Sequence, residues 1–494
     1  MTHLPDWLQQ QAAAAPDRPA LIAADTIWSF GALAGAADRL ARTLREAGAQ
    51  AGAPVALLAA NRPVFAAAVH AVARCGVTLA PLNTRLNPHE LRWQLEDLGA
   101  QVLLHDAAYH DLAAASTPAG VRLLALDESP PPPPSSPPLL LNLAAIHTLI
   151  YTSGTTGTPK AAQLSYGNHW WSAVGSALNL GVHADDRWLA VLPLFHVGGL
   201  AILMRSVIYG MPVVLHERFD PAAINRAIDE QGVTIISVVA TMLQRMLAER
   251  GDRPYPAQLR CVLLGGGPAP RHLLEACAAR NIPVVQTYGM TETASQAVTL
   301  APADALRKLG SAGRPLLPLQ VRIDAGHTAP EQVGEIYVRG PLVTAGYRNR
   351  PVPLHDGWLA TGDLGYLDSE GYLYVVDRRD DLIISGGENV YPAEVEAVLQ
   401  SHPAVQEAGV VGLADAAWGM VPVAFVAAEP DHALDQQELI AFARNRLAGY
   451  KVPRQIVVLA EALPRTAAGK LRRNLLRRRL TELLPLDNTG EVDK

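Results

Sequence analysis

Four short stretches hold most of the side chains able to do chemistry. The first, "YTSGTTGTPK" (151–160), has two glycines, one serine and four threonines, and it closes on proline and lysine. Glycines let backbone N–H groups approach oxygens closely and hydroxyls add donors, so the stretch suits a polyphosphate. It is not a Walker A loop, because G-x-x-x-x-G-K-[ST] is absent. The second, "YGMTET" (288–293), sets an aromatic ring, hydroxyls and a carboxylate side by side. The third, "TGD" (361–363), offers an acid that can accept hydrogen bonds from ribose hydroxyls. The fourth, "PRTAAGKLRR" (464–473), puts Lys470 on a glycine turn. Each stretch alone is weak evidence, and the first by itself reads equally well as a surface turn.

The elements around these stretches must hold them in place. Over the first 300 or so residues, short apolar runs alternate with amphipathic helical patterns. "PVALLAAN" (54–61), "VTLAPLN" (77–83) and "QVLLHD" (101–106) read as strands. Between the last two, "NPHELRWQLEDLGA" (87–100) reads as a helix, with Asn87 as N-cap, Pro88 as first residue, Glu90 as capping-box acid and Gly99 as stop. "HTLIYT", "WLAVLP", "PVVLHE", "VTIISVVA", "LRCVLLG" and "PVVQTYG" continue the rhythm. Such βαβα alternation implies parallel sheets with helices on both faces. "SPPPPPSSPP" (129–138) cannot be helix or central strand and reads as an exposed connection between two sheet-forming blocks. From about residue 310 the texture becomes β-rich with Gly and Asp turns, implying a smaller antiparallel sheet or barrel. From 381 onwards it is α+β again, long enough for a domain of its own. The junction "DRRDDL" (377–382), with five charges in six residues, suits a solvated linker.

The expected fold is therefore α/β. A large N-terminal domain (1–380) has two helix-covered, mostly parallel sheets and a small β-barrel-like part at about 310–380. A small α+β domain (381–494) follows. A length of 494 residues fits about three packed units. A net charge of −6 argues against a nucleic-acid partner. Cys75, Cys261 and Cys277 form no CxxC pair and read as buried thiols, with neither a disulfide framework nor a zinc site. The N-terminus lacks the basic head and apolar core of a secretory signal, and no apolar run approaches the ~20 residues that cross a bilayer. The expectation is a cytoplasmic protein with no stable membrane insertion.

In combination and in this order, the motifs resemble the adenylate-forming family of acyl-CoA synthetases, luciferases and peptide-synthetase adenylation domains. Besides the four stretches, the resemblance includes "LPLFHVGG" (192–199), "LGGGPAP" (264–270), "GE" (334–335), "DRRDD" (377–381) and "SGGENVYPAEVE" (385–396). One departure is visible: the loop usually continues "PKG", and here Ala161 follows Lys160. The resemblance implies an enzyme using ATP, Mg2+ and coenzyme A. Thr152, Ser153, Gly154, Thr155, Thr156, Gly157 and Lys160 would cradle the β and γ phosphates. Thr291 would touch the α-phosphate and Glu292 would bind the metal. Tyr288, with Gly266 and Gly289, would border the adenine, and Asp363 would bind the ribose with help from Arg378. Lys470 would reach the reacting carboxylate and α-phosphate. Ser385, Gly386 and Gly387 would line the path of the CoA thiol, with a hinge at Asp380.

Several stretches look closer to one branch of that family than to fatty-acyl ligases: 165–181, 192–220 and 286–300. That branch serves menaquinone biosynthesis and activates 2-succinylbenzoate, an aromatic dicarboxylate, on its succinyl carboxyl. The implied acid pocket includes His196, Arg205, Gly265, Gly289 and Ser295. Arg205 lies among apolar neighbours in "GGLAILMRSVIYG" and needs a partner, either a structural acid or the ring carboxylate of the substrate. His196 reads as a core histidine or as a gate of the acyl pocket. "LGGGPAP" reads as a helix-entry loop or as a pocket wall. The basic tail "KLRRNLLRRRL" reads as a solvated helix face, or as an attraction for CoA phosphates or an anionic surface. A medium-chain or aryl acyl-CoA synthetase of the same fold is the first alternative, and an idle ligand-binding homologue the second. The chain is expected to work as a monomer or homodimer.

Overall fold

A computed structural model describes the chain apart from residues 1, 25, 128, 130, 153–158, 268, 326–330, 352–353, 379–380, 386–387, 416–417, 431, 448, 467–468 and 484–494, and apart from the side chains of 377, 378, 388 and 389. By packing, it divides into two units. Residues 1–266, 276–322 and 337–360 make the first, and 267–275, 323–336 and 361–494 the second. The boundary expected after residue 380 divides the chain differently and remains a proposal.

The first unit holds two large sheets, each parallel in its middle and antiparallel at an edge. One runs in the order Arg350–Pro351, β5 (Gly346–Tyr347), β2 (Lys160–Ser165), β1 (Ile146–Thr152), Thr78–Pro81, Pro54–Leu58, Val102–His105 and Arg122–Ala125. The last five of these pair in parallel, while β1, β2 and β5 pair antiparallel. The other sheet places β4 (Ser295–Thr299) beside β3 (Val284–Met290), followed by Cys261–Leu264, Ile235–Val238, Trp188–Ala190 and Val213–Leu215. Its middle strands are buried along their whole length, as in a sheet covered on both faces.

Local signals in the sequence explain where the helices start and stop. Asn87 and Glu90 form the expected reciprocal capping box at Pro88–Leu98, and Gly99 ends that helix at φ 61°. Ser165 and Asn168 form a second box at the start of α1 (Tyr166–Leu180). The proline-rich segment is neither helix nor strand across 131–139. It is tied down all the same, because Asp38 accepts from the N–H groups of Ser135 and Ser136 at 2.6 and 2.9 Å. Gly35 is required there, because a Cβ would overlap the carbonyl of Pro132.

β6 (Trp358–Leu367) starts in the first unit, and from Asp363 onwards, in the second, it pairs antiparallel with β7 (Leu373–Arg378). A further sheet joins Glu388–Val390, Ile383–Ser385, Gly419–Ala428, Val405–Asp415 and Gln455–Leu459. Its long strands alternate: Val410, Ala424 and Val426 face one apolar cluster, and Val411, Val423 and Phe425 face the other. Helices Pro392–Gln400 and Gln436–Arg444 cover the first face, and α3 (Arg473–Leu483) covers the second. Among the described residues, no helix is long and apolar enough to cross a membrane.

Candidate active site

In the first unit, the strand ends of both sheets carry the motifs. β1 ends at Thr152 and β2 begins at Lys160, and these two residues face each other across the ladder. The loop they close, with Ser153, Gly154, Thr155, Thr156 and Gly157, lies outside the described residues. Ala161, which stands where the family pattern has glycine, sits in the regular ladder opposite Tyr151. Its methyl group is buried in the apolar cluster beneath that sheet, so the position needs no glycine conformation.

"YGMTET" forms the end of β3 and a 3-10 turn, Thr291–Thr293, that leads into β4. The turn is strapped by Thr293, whose hydroxyl oxygen accepts the N–H of Met290 at 3.1 Å. Ala294 and Ser295 follow with left-handed φ of 51° and 97°. Such conformations cost non-glycine residues of order 1–3 kcal/mol and cluster at functional sites. Gly289 must lack a side chain, since a Cβ would lie 1.7 Å from the carbonyl oxygen of Ser295. Glu292 is half-buried. Its Oε1 accepts from the hydroxyl of Tyr347 at 2.7 Å, and its carbonyl from the N–H of Thr344 at 2.7 Å. Lys160 Nζ stands 5.7 Å from the centroid of the same Tyr347 ring. Burial, followed by the charge and hydrogen bond of Glu292, pushes the Tyr347 hydroxyl well above its ordinary pKa. Tyr347 thus links the two best motifs, and the sequence reading missed it. Its dipeptide "GY" follows Glu292 by 54 positions and carries no spacing signal.

His196 is the N-cap of α2 (Val197–Tyr209) and packs against Phe195 with ring centroids 4.6 Å apart. Gly199 lets the first turn of α2 close on the preceding loop, because a Cβ would meet the carbonyl of Pro193 at 2.4 Å. Arg205, further along α2, is 1% exposed. Its Nη2 lies 3.4 Å from the hydroxyl of Ser172 on α1, and its guanidinium 5.3 Å from the Trp188 ring centroid. Ser172 in turn donates to the carbonyl of Ala294 at 2.8 Å, so Arg205 is two hydrogen bonds from the "TETAS" turn. No carboxylate among the described residues pairs with Arg205, and its Nε has no partner. Burial drives its pKa down, against the opposing influence of Tyr209. Gly265 ends the strand Cys261–Leu264, where a Cβ would press on Thr287 at 2.8 Å, and Gly266 turns at φ 84°.

The second unit holds the remaining residues. Asp363 is 7% exposed and lies opposite Arg378 in the ladder. Its N–H donates to the Thr361 hydroxyl at 3.1 Å, and the Gly362 N–H reaches Glu335 of the "GE" motif at 3.3 Å. Ser385 is buried at a strand end. Gly386, Gly387 and Asp380 lie outside the described residues. Lys470 is exposed on a tight turn in which Thr466 and Lys470 exchange hydrogen bonds at 2.7 and 3.1 Å and Gly469 takes φ 79°. Much of the basic tail's charge is paired. Arg473 meets Glu396 at 2.7 Å and Asp381 at 3.2 Å, Arg477 meets Asp381 at 2.7 Å, and Arg479 meets Glu461 at 2.6 Å.

Among the described residues, no cluster of three or more His, Cys, Asp or Glu could hold a metal by itself. A lone carboxylate such as Glu292 does suit Mg2+, which binds through one or two carboxylates together with substrate phosphates.

The family model for the AMP-binding enzyme matches residues 8–348, and that for its C-terminal domain matches 394–470. The chain belongs to the AMP-binding enzyme family. Within that family it is 52% identical to a 2-succinylbenzoate–CoA ligase of Geobacillus kaustophilus, over 98% of this chain and 99% of the relative. Its fold is similar to that of o-succinylbenzoate coenzyme A synthetase from Bacillus subtilis in complex with ATP and magnesium ion. That match has a TM-score of 0.90 and 47% identity over 96% of this chain and 100% of the other. The same Bacillus enzyme with its acyl-adenylate intermediate matches at a TM-score of 0.89 and 46% identity, over 97% and 99%.

Proposed function

We propose that this chain is an AMP-forming acid–thiol ligase that joins 2-succinylbenzoate to coenzyme A. The observation that carries the reading is its similarity, over nearly its whole length, to ligases named for that reaction. A carboxylate is a poor electrophile. Its oxygen attacks the α-phosphorus of ATP, the bond to the β-phosphate oxygen breaks, and pyrophosphate leaves. The CoA sulfur then attacks the acyl carbon, the bond to the phosphate oxygen breaks, and AMP leaves, with the thiol proton passing to solvent.

The first step brings two anions together, so it needs cations and fixed donors. Lys160, Thr152 and the loop between them hold the outer phosphates, and Thr291 the α-phosphate. Tyr288, Gly289 and Gly266 border the base. Asp363 and Arg378 take the ribose, and Lys470 stabilises the charge that builds up at the reacting centre. Bound Mg2+, held by Glu292, would neutralise phosphate charge. His196, Gly265 and Ser295 line the acid pocket, and Arg205 receives the ring carboxylate. For the second step, Ser385, Gly386 and Gly387 serve the thiol, with the hinge at Asp380 and a mobile domain from 381. The cytoplasm is the proposed compartment, and a monomer or homodimer the proposed state.

A panel of acids tests the reading: 2-succinylbenzoate, benzoate, octanoate and palmitate, with ATP and CoA, followed by thioester formation. The dicarboxylate should be preferred. Preference for octanoate or benzoate would point to a medium-chain or aryl ligase, and no pyrophosphate release with any acid would point to an idle homologue.

A further inference from the structure

We infer that Tyr347 is a positioning residue that holds the metal-binding carboxylate of Glu292 and the loop-closing cation of Lys160 apart and ready. The inference rests on the ATP- and Mg2+-dependent reading above.

The backbone of Tyr347 is fixed from both sides. It bridges Ala162 on β2, and its carbonyl accepts from Gln163 Nε2 at 2.8 Å. It also faces Arg350 in a tight antiparallel turn, and the next N–H, of Arg348, donates to Ala161 at 2.8 Å. With the Cα so placed, the side chain reaches both motifs. The hydroxyl donates to Glu292 Oε1 at 2.7 Å, and the ring faces Lys160 Nζ at 5.7 Å. The same segment holds the other end of Glu292, since Thr344 N–H donates to its carbonyl. Residues 344–347 therefore grip Glu292 by main chain and side chain together.

The chemistry of these contacts matters more than their number. A phenol is a neutral donor, so it fixes one carboxylate oxygen without cancelling the charge and leaves Oε2 free of this bond. The ring attracts the ammonium through its face and does not discharge it. No ion pair joins Lys160 to Glu292. A direct pair would bind the two charges to each other and withdraw both from phosphate and metal. An apolar residue at this position would fill the space but do neither job.

The test uses the full-length protein, with Mn2+ as a spectroscopic probe and a non-hydrolysable ATP analogue. Mn2+ binding is read by electron paramagnetic resonance in the presence of the analogue, and binding of the metal-free analogue by calorimetry. Tyr347→Phe keeps the ring and the backbone pairing and removes only the hydroxyl. It should weaken Mn2+ binding by about tenfold, the lower end for loss of an outer-shell partner, and leave the affinity for the metal-free analogue unchanged. Tyr347→Leu should weaken both, because Lys160 also loses its ring. Mn2+ binding in Tyr347→Phe equal to wild type overturns the assignment to Glu292. Equal analogue affinity in the Phe and Leu variants overturns the assignment to Lys160. A fall in thermal midpoint that accompanies lost Mn2+ binding in Tyr347→Phe would make the residue structural and also overturn the inference. Wild-type protein that binds neither probe would defeat the ATP-dependent reading itself, a separate result.

Discussion

Among the arginines buried in the first unit, Arg74 and Arg205 have opposite surroundings. Arg74, on the helix Pro63–Cys75, has a 2% exposed side chain. Its Nε meets Asp38 at 2.5 Å, and its Nη1 meets Asp6 at 3.3 Å and the carbonyl of His70 at 2.8 Å. Asp38 also takes two backbone N–H groups from the proline-rich segment. Arg205 is as deeply buried, yet it has one long contact to Ser172, the Tyr209 hydroxyl and the face of Trp188, and no acid among the described residues. A buried cation is tolerated where partners compensate its lost hydration. Arg74 has that compensation within the fold. Arg205 does not, which is what a receptor for a charged group brought by a ligand requires. On the proposed function, the two residues would separate structural charge from functional charge in one scaffold.

The comparison breaks most visibly if Arg74 is not structural. Arg74→Leu leaves Asp6 and Asp38 buried without their cation, so the folded state should lose about 3–5 kcal/mol, read from urea unfolding. Asp38 would also lose the charge that helps, along with hydrogen bonds from Ser136 and Ser135, to hold its carboxyl ionised against burial. The turnover of the remaining folded protein at low temperature should match wild type. A variant that is fully stable but inactive would reverse the roles assigned to the two arginines.

The second test exchanges the roles. Arg205→Leu removes a buried charge with no acid partner among the described residues, so stability should hold or rise. For 2-succinylbenzoate, loss of a charge-assisted hydrogen bond of about 1.5–3 kcal/mol should lower kcat/KM by roughly one to two orders of magnitude. An analogue without the ring carboxylate should be processed as before or better. Equal losses for both acids, together with lower stability, would place Arg205 with Arg74 as a structural residue.

These two arginines also mark how far the residues could be read in order. That Arg205 is buried was visible in its apolar neighbours, because local sequence reports burial on a helix of that composition. That no acid among the described residues faces it was not visible, since the answer depends on every element packed around α2. The capping box at Asn87 and the stop at Gly99 were legible because a cap involves residues only a few positions apart. The parallel middles of both sheets followed from the βα rhythm. The antiparallel edge that brings Tyr347 beside Ala162 did not, because residues 185 positions apart meet only through sheet register. For the same reason the proline-rich segment looked like a plain connection, when it also supplies the N–H groups that hold Asp38.

The smallest expected effect concerns the histidines beside these cations. Burial, then His147, then Arg74 lower the pKa of His70 to about 3, and burial lowers that of His147 to about 4. His169 is lowered by burial, then by His147 and Arg205. For a base whose pKa is lowered by folding, the unfolded chain binds the proton first. Below the ordinary histidine value of about 6.5, the unfolded state therefore takes up protons that the folded state refuses, and stability falls with pH. Each such histidine should contribute a slope of about 1.4 kcal/mol per pH unit. The window between pH 6.5 and 5 isolates this effect, since most carboxylates stay ionised there in both states. His70 Nε2 has no hydrogen-bond partner, so His70→Leu removes a titrating group without breaking a bond at that atom. Its slope across the window should be shallower than wild type by about one proton's worth. Arg205→Leu should flatten the slope less, by letting His169 accept a proton at a somewhat higher pH, and Arg74→Leu should act in the same way through His70. An unchanged slope in His70→Leu would mean that the folded protein already protonates this histidine. Arg74 would then have a second cation beside it, and its two acids would be holding two charges where the comparison with Arg205 assumes one.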